Sequence, residues 1–258
     1  MTAAEAYRDE TEFDDPTAVG AFAASLAAPL LVGLDVDGVL APIVAHADDA
    51  LLLPGMLAAV RALAALTPVA VVSGRTVDDL GRFGFPDDVA MFGLHGMERR
   101  AERTIVLADH EQARLEQLRA MAADAADRAG DGAWVEVKPA SVVLHVREAH
   151  PSQGADSADE LRRQAADVTG AHVLSGHDVV ELLTRATSKA VAIAELRAEL
   201  SVASVVFVGD DRTDEEVFAD LGPGDCAIRV GRGATAARHR LAGPPEVLAF
   251  LDALAARL

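Results

Sequence analysis

The 258-residue chain is short of cysteine, aromatic residues, lysine and basic charge, and each shortage closes off a class of protein. A single cysteine, Cys226, forms no internal disulfide. It is expected to pack as a small apolar residue, which fits a reducing cytoplasm. Aromatics make up 4% of residues, so the interior must be built from Ala, Val and Leu, and stacking platforms for nucleic acid are not expected. Lys and Arg number 23 against 41 Asp and Glu, a formal net charge of −18. Such a surface has no general attraction for phosphate backbones or anionic membranes, so any phosphate must be held locally. The first residues carry Glu5, Asp9, Glu10, Glu12, Asp14 and Asp15 against Arg8 alone, unlike a basic signal-peptide start, and no apolar run is long enough to predict a membrane span. The eight histidines show no zinc-ligand spacing.

What is present is the run Leu30-Leu31-Val32-Gly33-Leu34-Asp35-Val36-Asp37-Gly38, an apolar stretch ending in two carboxylates one residue apart and a glycine. It predicts a buried strand whose period of two starts Asp35 and Asp37 on one side, with Gly38 turning the backbone at the sheet edge where open α/β sheets bind ligands. Like charges held together raise each other's pKa and cost stability unless a cation compensates. A calcium loop starting at Asp35 would need an oxygen ligand at Val39, glycine at Leu40 and glutamate at His46, and all three fail. A small hard-cation site built from few carboxylates remains, which suits Mg2+ beside a phosphate.

Around this strand the pattern predicts alternating elements. Asp15-Pro16 reads as an N-cap opening a helix to about Ala28. Helices near 54–66 and 77–83 alternate with strands 69–73 and 89–94. The rhythm returns with a helix 188–200, a strand 205–208, a helix 214–221, a strand 226–230 and a last helix 244–258. Alternation of this kind implies one parallel sheet. Between the halves lie a charged helix near 110–128, strands 133–138 and 141–147, a polar break at 150–157, then a helix and two strands ending near Leu183. The expected organisation is a flexible acidic tail (1–14), an α/β core (15–104 and 185–258) and an inserted, smaller α+β unit (105–184).

Three further segments are aimed at Asp35. Strand 69–72 runs into Ser73-Gly74-Arg75, a hydroxyl with free N–H groups before a helix, which suits a phosphate. Strand 205–208 ends in Gly209-Asp210-Asp211-Arg212-Thr213-Asp214-Glu215. N-capping by Thr213 or Asp214 accounts for Asp214 but leaves Asp210 and Asp211 for a cation. Only two of the 23 Lys and Arg residues are lysines, Lys138 and Lys189. Lysine offers a compact point charge, and Lys189 opens the helix leading to the Asp210 strand, where it could neutralise phosphate.

Asp35-x-Asp37-Gly38, Ser73-Gly74-Arg75, Lys189 and Gly209-Asp210-Asp211, in that order, resemble the haloacid dehalogenase superfamily of phosphohydrolases. Gly93-x-His95-Gly96-x-Glu98, Glu136-x-Lys138, Leu144-His145-x-Arg147, Val180-Glu181 and Asp210-Asp211-x-Thr213-Asp214-Glu215 narrow the resemblance to the trehalose-6-phosphate phosphatases. It covers roughly residues 30–221. The resemblance implies a Rossmann-like core with a mobile α+β cap inserted after the second motif, and Mg2+-dependent hydrolysis of trehalose 6-phosphate through an aspartyl-phosphate. It makes Asp35 the nucleophile and Asp37 the acid and base. Mg2+ would be held by Asp35, the Asp37 carbonyl and Asp210, with Asp211 or Asp214 assisting. Ser73, Gly74 and Lys189 would hold the phosphoryl oxygens, and Glu98, Glu136, Lys138, Arg147 and Glu181 the sugar. The partner implied is a small sugar phosphate, with neither nucleic acid nor membrane, and a monomeric cytoplasmic enzyme. Alternative expectations are a phosphatase of a glucosyl- or mannosyl-phosphoglycerate, or a non-catalytic sugar-phosphate sensor. Trp134, beside the cap motif, is read as packing, with stacking on a sugar ring as the alternative.

Overall fold

The structure, a computed structural model, describes residues 12–44, 46–102, 105–176 and 178–258. Residues 1–11 of the expected tail lie outside that set. Its last residue, Asp14, is no free tail: its N–H donates to the Arg240 carbonyl at 2.8 Å and its carboxylate accepts from the Arg240 N–H at 2.8 Å.

In chain order the elements are α1 (Pro16–Ala24), β1 (Leu30–Leu34), α2 (Met56–Ala64), β2 (Val69–Val72), α3 (Val77–Gly81), β3 (Ala90–Gly93), β4 (Glu98–Arg99), α4 (Asp109–Ala129), β5 (Trp134–Val137), β6 (Ser141–His145), α5 (Pro151–Ala166), β7 (His172–Gly176), β8 (Val179–Leu183), α6 (Lys189–Leu200), β9 (Ser204–Gly209), α7 (Arg212–Asp220), β10 (Cys226–Val230), β11 (His239–Leu241) and α8 (Pro244–Ala255). The expected α/β pattern is present, with three corrections. Helix α1 stops at Ala24 rather than Ala28, because the Ser25 hydroxyl and N–H both close on the Phe22 carbonyl and Pro29 lies ahead. The expected polar break at 150–157 is instead the start of α5, with Pro151 in the first turn. Its inward face is made of small residues, Gly154, Ser157 and Ala158, which a search for large apolar residues passes over. The short strands β4 and β11 gave no sequence signal.

The larger sheet has the order β11-β10-β9-β1-β2-β3-β4. Its β1, β2, β3, β9, β10 and β11 pair in parallel. Strand β1 is fully buried, as its unbroken apolar run requires when helices cover both faces. Leu31, Val205 and Phe207 on one face pack with Ile193 and Leu196 of α6 and Val217 and Phe218 of α7. The alternate residues Leu30, Val32 and Leu34 are equally buried on the other face. Gly33 lets the two middle strands share that packing, since a Cβ there would sit 2.6 Å from the Phe207 ring. After β1 the chain proceeds to β2 on one side and returns through β9 on the other. The strand order therefore reverses between β1 and β9, and the crevice beyond their carboxyl ends is where such sheets hold ligands.

The chain divides into two compact units. The first comprises residues 1–73, 78–92 and 189–258; the second comprises 74–77 and 93–188. The second is built on an antiparallel sheet of order β5-β6-β8-β7. One face, carrying Val142, Leu144, Val180 and Leu182, packs on Leu118, Ala122 and Ala125 of α4 and Ala158, Leu161 and Ala165 of α5. By strand alternation and register, the opposite face carries Trp134, Glu136, Ser141, Val143, His145 and Glu181.

Candidate active site

In the first unit, Asp35 follows β1 and Asp210 follows β9, so the two acids end the strands that flank the reversal. Gly38 has φ +76, a left-handed conformation, and a Cβ there would lie 2.0 Å from an Asp210 carboxylate oxygen. The Asp-Gly step is therefore required twice, by the turn and by the approach of an acid from 172 positions further along the chain. Gly209 is required by close approach alone, since a Cβ there would lie 2.2 Å from Asp214 Cγ.

The centre of the cluster is Lys189, almost fully buried, whose ammonium lies 2.7 Å from Asp35 Oδ2 and 2.8 Å from Asp214 Oδ1. The other Asp35 oxygen accepts from the Val36 N–H at 2.7 Å. Asp214 is wholly buried, and its second oxygen accepts from the N–H groups of Asp210 and Asp211 at 2.9 and 3.0 Å. Burial opposes the Lys189 charge, but Asp214 and Asp35 outweigh it and push its pKa up. Burial likewise pushes Asp35 well above the usual carboxylate range, with Lys189 opposing and Asp214 and Asp210 adding to the rise. For Asp210, burial and then the Asp214 charge push the pKa up to about 7. Asp35, Asp210 and Asp214 can each offer an oxygen within 4.8 Å of one another. Three carboxylates and one ammonium leave two negative charges in a buried space, so the donor set fits one small divalent cation in charge, hardness and spacing.

The remaining expected core residues are placed as follows. Ser73 follows β2, the strand beside β1, and is buried. Asp37 is half-buried and bridges through its backbone to Ala41. Asp211 is not among the three carboxylates that come within 4.8 Å of one another, though its charge helps to raise the Asp210 pKa. It is the N-cap of α7, its side chain accepting from the Arg212 N–H at 2.7 Å, with Asp214 as the reciprocal residue of a capping box. The cap is thus Asp211 and not Thr213 or Asp214, because the helix opens two residues earlier than expected.

In the second unit Glu181, Ser141, Lys138 and His95 form a connected polar network. Glu181 is buried; its Oε1 accepts from Ser141 Oγ at 2.6 Å and from Lys138 Nζ at 3.3 Å, and its Oε2 lies 3.1 Å from His95 Nε2. Burial alone would raise its pKa, but Lys138 and His95 overcome that and hold it at about 2. Lys138 also donates to the Gly74 carbonyl at 2.9 Å, linking the sheet to the turn after Ser73. Glu136 is half-buried and lies 3.0 Å from His145 Nε2. Burial works against its charge, yet His145 and Lys138 hold its pKa below the usual value. The Glu98 carboxylate accepts from the Val77 N–H at 2.7 Å and organises the turn entering α3. Arg147 is exposed, with Asp178 at 3.9 Å. Sequence reasoning did not find Ser141, which carries no motif signal, and gave His95 no role beyond its place in the motif Gly93-x-His95-Gly96-x-Glu98. Leu94 and His95 both adopt positive φ, 48° and 57°, which sets His95 against Glu181.

Acids at the ends of adjacent parallel strands, joined by a buried lysine from the helix preceding the second strand, are the arrangement that the resemblance to the haloacid dehalogenase phosphohydrolases implies. Residues 33–242 match the trehalose-phosphatase family, and the chain belongs to that family. It is 33% identical over 235 residues to a trehalose-6-phosphate phosphatase of Escherichia coli, covering 87% of this chain and 86% of that protein. It is 34% identical over 242 residues to a trehalose-phosphate phosphatase of Mycobacterium marinum, covering 88% of this chain but only 62% of that protein's length. Among solved structures, the C-terminal domain of a Candida albicans trehalose-6-phosphate phosphatase superposes with a TM-score of 0.83 at 19% identity, covering 95% of this chain and 97% of that one, which shows the shared fold.

Proposed function

We propose that the protein hydrolyses trehalose 6-phosphate to trehalose and inorganic phosphate with Mg2+ as cofactor. The observation that carries the catalytic reading is Lys189, buried and bonded at once to Asp35 and Asp214. It fixes the Asp35 carboxylate and keeps a cation where phosphoryl oxygens would arrive. Asp35, Asp210 and Asp214 would hold the Mg2+. Bound there, the ion supplies the positive charge that lets an anionic nucleophile meet an anionic ester.

The chain's own residues account for the proton and bond changes. An Asp35 oxygen attacks phosphorus, the bond from phosphorus to the sugar oxygen breaks, and Asp37 gives that oxygen its proton, leaving an aspartyl-phosphate. Asp37 then takes a proton from water, whose oxygen attacks the same phosphorus; phosphate leaves and the Asp35 carboxylate is restored. Ser73 and the turn at Gly74 contribute donors to the phosphoryl oxygens.

The polar face of the second sheet suits a sugar. Lys138 has three N–H donors and uses two, on Gly74 and Glu181. Glu181 fills both acceptor positions of Oε1 and one of Oε2. Among the described residues this leaves one Lys138 donor and one Glu181 acceptor, which matches a hydroxyl group, since a hydroxyl both accepts and donates. A phosphate-release screen over trehalose 6-phosphate, glucosyl- and mannosyl-phosphoglycerates and simple hexose phosphates, with Mg2+ and with chelator, tests the reading. Trehalose 6-phosphate should be turned over fastest and only with the ion. Preference for a phosphoglycerate would overturn the substrate assignment, and turnover surviving Asp35→Asn would overturn the nucleophile.

A further inference from the structure

The chain has few aromatic residues, and most of its phenylalanines, including Phe83, Phe85, Phe92, Phe207, Phe218 and Phe250, are buried. Its one tryptophan, Trp134, is 42% exposed. An exposed apolar side chain means nothing by itself. Trp134, however, is held in a defined arrangement. It pairs in register with His145 across β5 and β6, and the two rings are stacked 3.8 Å apart with 2° between their planes. The same imidazole lies 3.0 Å from Glu136 through its Nε2. Trp134 and Glu136 are two apart on one strand and so share a face of the sheet, and Glu181 joins that face through the row Glu136, Val143, Glu181.

We propose that Trp134, backed by His145, is a stacking platform for a pyranose ring of the substrate, and that His145 is a positioning residue setting the plane of the indole and the direction of the Glu136 carboxylate. The inference rests on the reading of the substrate as a glycosyl phosphate. A pyranose has a flat face of C–H groups and a rim of hydroxyls. An indole face answers the first and the neighbouring Glu136, Lys138 and Glu181 answer the second, the usual division between apolar surface and a few polar groups in a small-molecule site. One indole face lies on the imidazole, and the residue keeps 42% of its surface exposed, which leaves room for a ring to pack. The hydrogen bond between His145 and Glu136 holds the carboxylate before the sugar arrives.

Because Trp134 is the sole tryptophan, its emission reports the site directly. Titration of the wild-type protein with trehalose alone should give a saturable change in emission, while an equal concentration of glycerol, a polyol with no ring face, should give none. In steady-state phosphate release, Trp134→Leu should raise KM for trehalose 6-phosphate about tenfold, the scale of one aromatic contact, with the loss falling in KM rather than kcat. Trp134→Phe should recover part of it. His145→Gln should raise KM and also shift the tryptophan emission of the unliganded protein, which a residue serving only to support the fold far from the indole would not do. Emission indifferent to trehalose up to concentrations that inhibit turnover, or KM unchanged in a Trp134→Leu protein whose circular dichroism matches wild type, would overturn the platform. A wild-type protein that fails to release phosphate from trehalose 6-phosphate would instead overturn the substrate reading, so the two failures are separable.

Discussion

Replacing Lys189 by Met keeps most of the side-chain volume and removes only the ammonium. In the native protein that group is the shared cation of two carboxylates, at 2.7 Å from Asp35 and 2.8 Å from Asp214, with the lysine 2% and Asp214 0% exposed. Coulomb attraction would overstate what is lost, because burying the ions has its own cost. The relevant quantity is the penalty of leaving buried carboxylates without a counter-ion, on the order of 3–5 kcal/mol. For a protein of this size that lowers the melting temperature by roughly 10 °C. The loss also has a pH signature. Without the lysine, the burial that already raises the folded pKa of Asp35 above the ordinary 3.8 is no longer opposed by that cation, so ionisation of Asp35 favours unfolding more strongly than in the native protein. The penalty is full above the raised value and fades as pH falls toward the ordinary 3.8, well below which the Asp35 carboxyl is protonated in both states. Thermal and urea unfolding followed by circular dichroism, at pH 8 and pH 5 in the presence of chelator, measures both features. Adding Asp214→Asn to Lys189→Met should return part of the stability, since one of the stranded charges is gone. A Lys189→Met protein destabilised by less than about 1 kcal/mol at pH 8, or equally at both pH values, would refute the account of a buried lysine holding buried acids.

Three other predictions concern separate links. Gly38→Ala places a methyl 2.0 Å from an Asp210 oxygen in a left-handed backbone position that alone costs about 1–2 kcal/mol, so Mg2+-dependent phosphate release should fall well below a tenth of wild type, with weakened Mg2+ binding by calorimetry. Asp211→Ala should cost about 1 kcal/mol in urea unfolding through loss of the α7 cap while the Mg2+ concentration dependence of turnover stays put; a right-shifted dependence would return Asp211 to the metal site. Glu181, held at about 2 against an ordinary 4.5, contributes stability that is fully present above about pH 4.5 and lost as pH falls toward 2, on the order of 3 kcal/mol. Glu181→Gln should therefore be less stable than wild type at pH 7 and approach it at pH 3, and parallel stability curves for the two proteins would contradict the assignment.

Much of the fold and part of the site could be read from the chain because they depend on local periodicity. A run such as Leu30–Leu34, apolar at every position, has to be a strand covered on both faces, and acids placed directly after it have to emerge at the end of the sheet. The alternation of strands and helices fixed the parallel class for the same reason. What was misread depended on neighbours. The polar-looking start of α5 is helical because Gly154 and Ser157 are small enough for the helix to lie against its surroundings; a Cβ on Gly154 would come within 3.1 Å of Val146, and the Ser157 hydroxyl bonds the Ala125 carbonyl. Asp211 and Asp214 could not be assigned between cap and cation while the first residue of α7 was uncertain by two positions.

The sequence by itself determined which residues could do chemistry: hard carboxylates, one buried-site lysine out of two, a glycine after the acids, and a cluster of charged residues on alternating positions of later strands. Only the tertiary structure decided which of them meet. Lys189 is 154 positions from Asp35 and 25 from Asp214, and its bonding to both is set by the strand order that brings β9 beside β1. Likewise the parallel stack of Trp134 on His145 follows from an antiparallel register, which no spacing along the chain specifies. Periodicity tells a side chain which face it occupies; the packing of distant elements tells it what stands opposite.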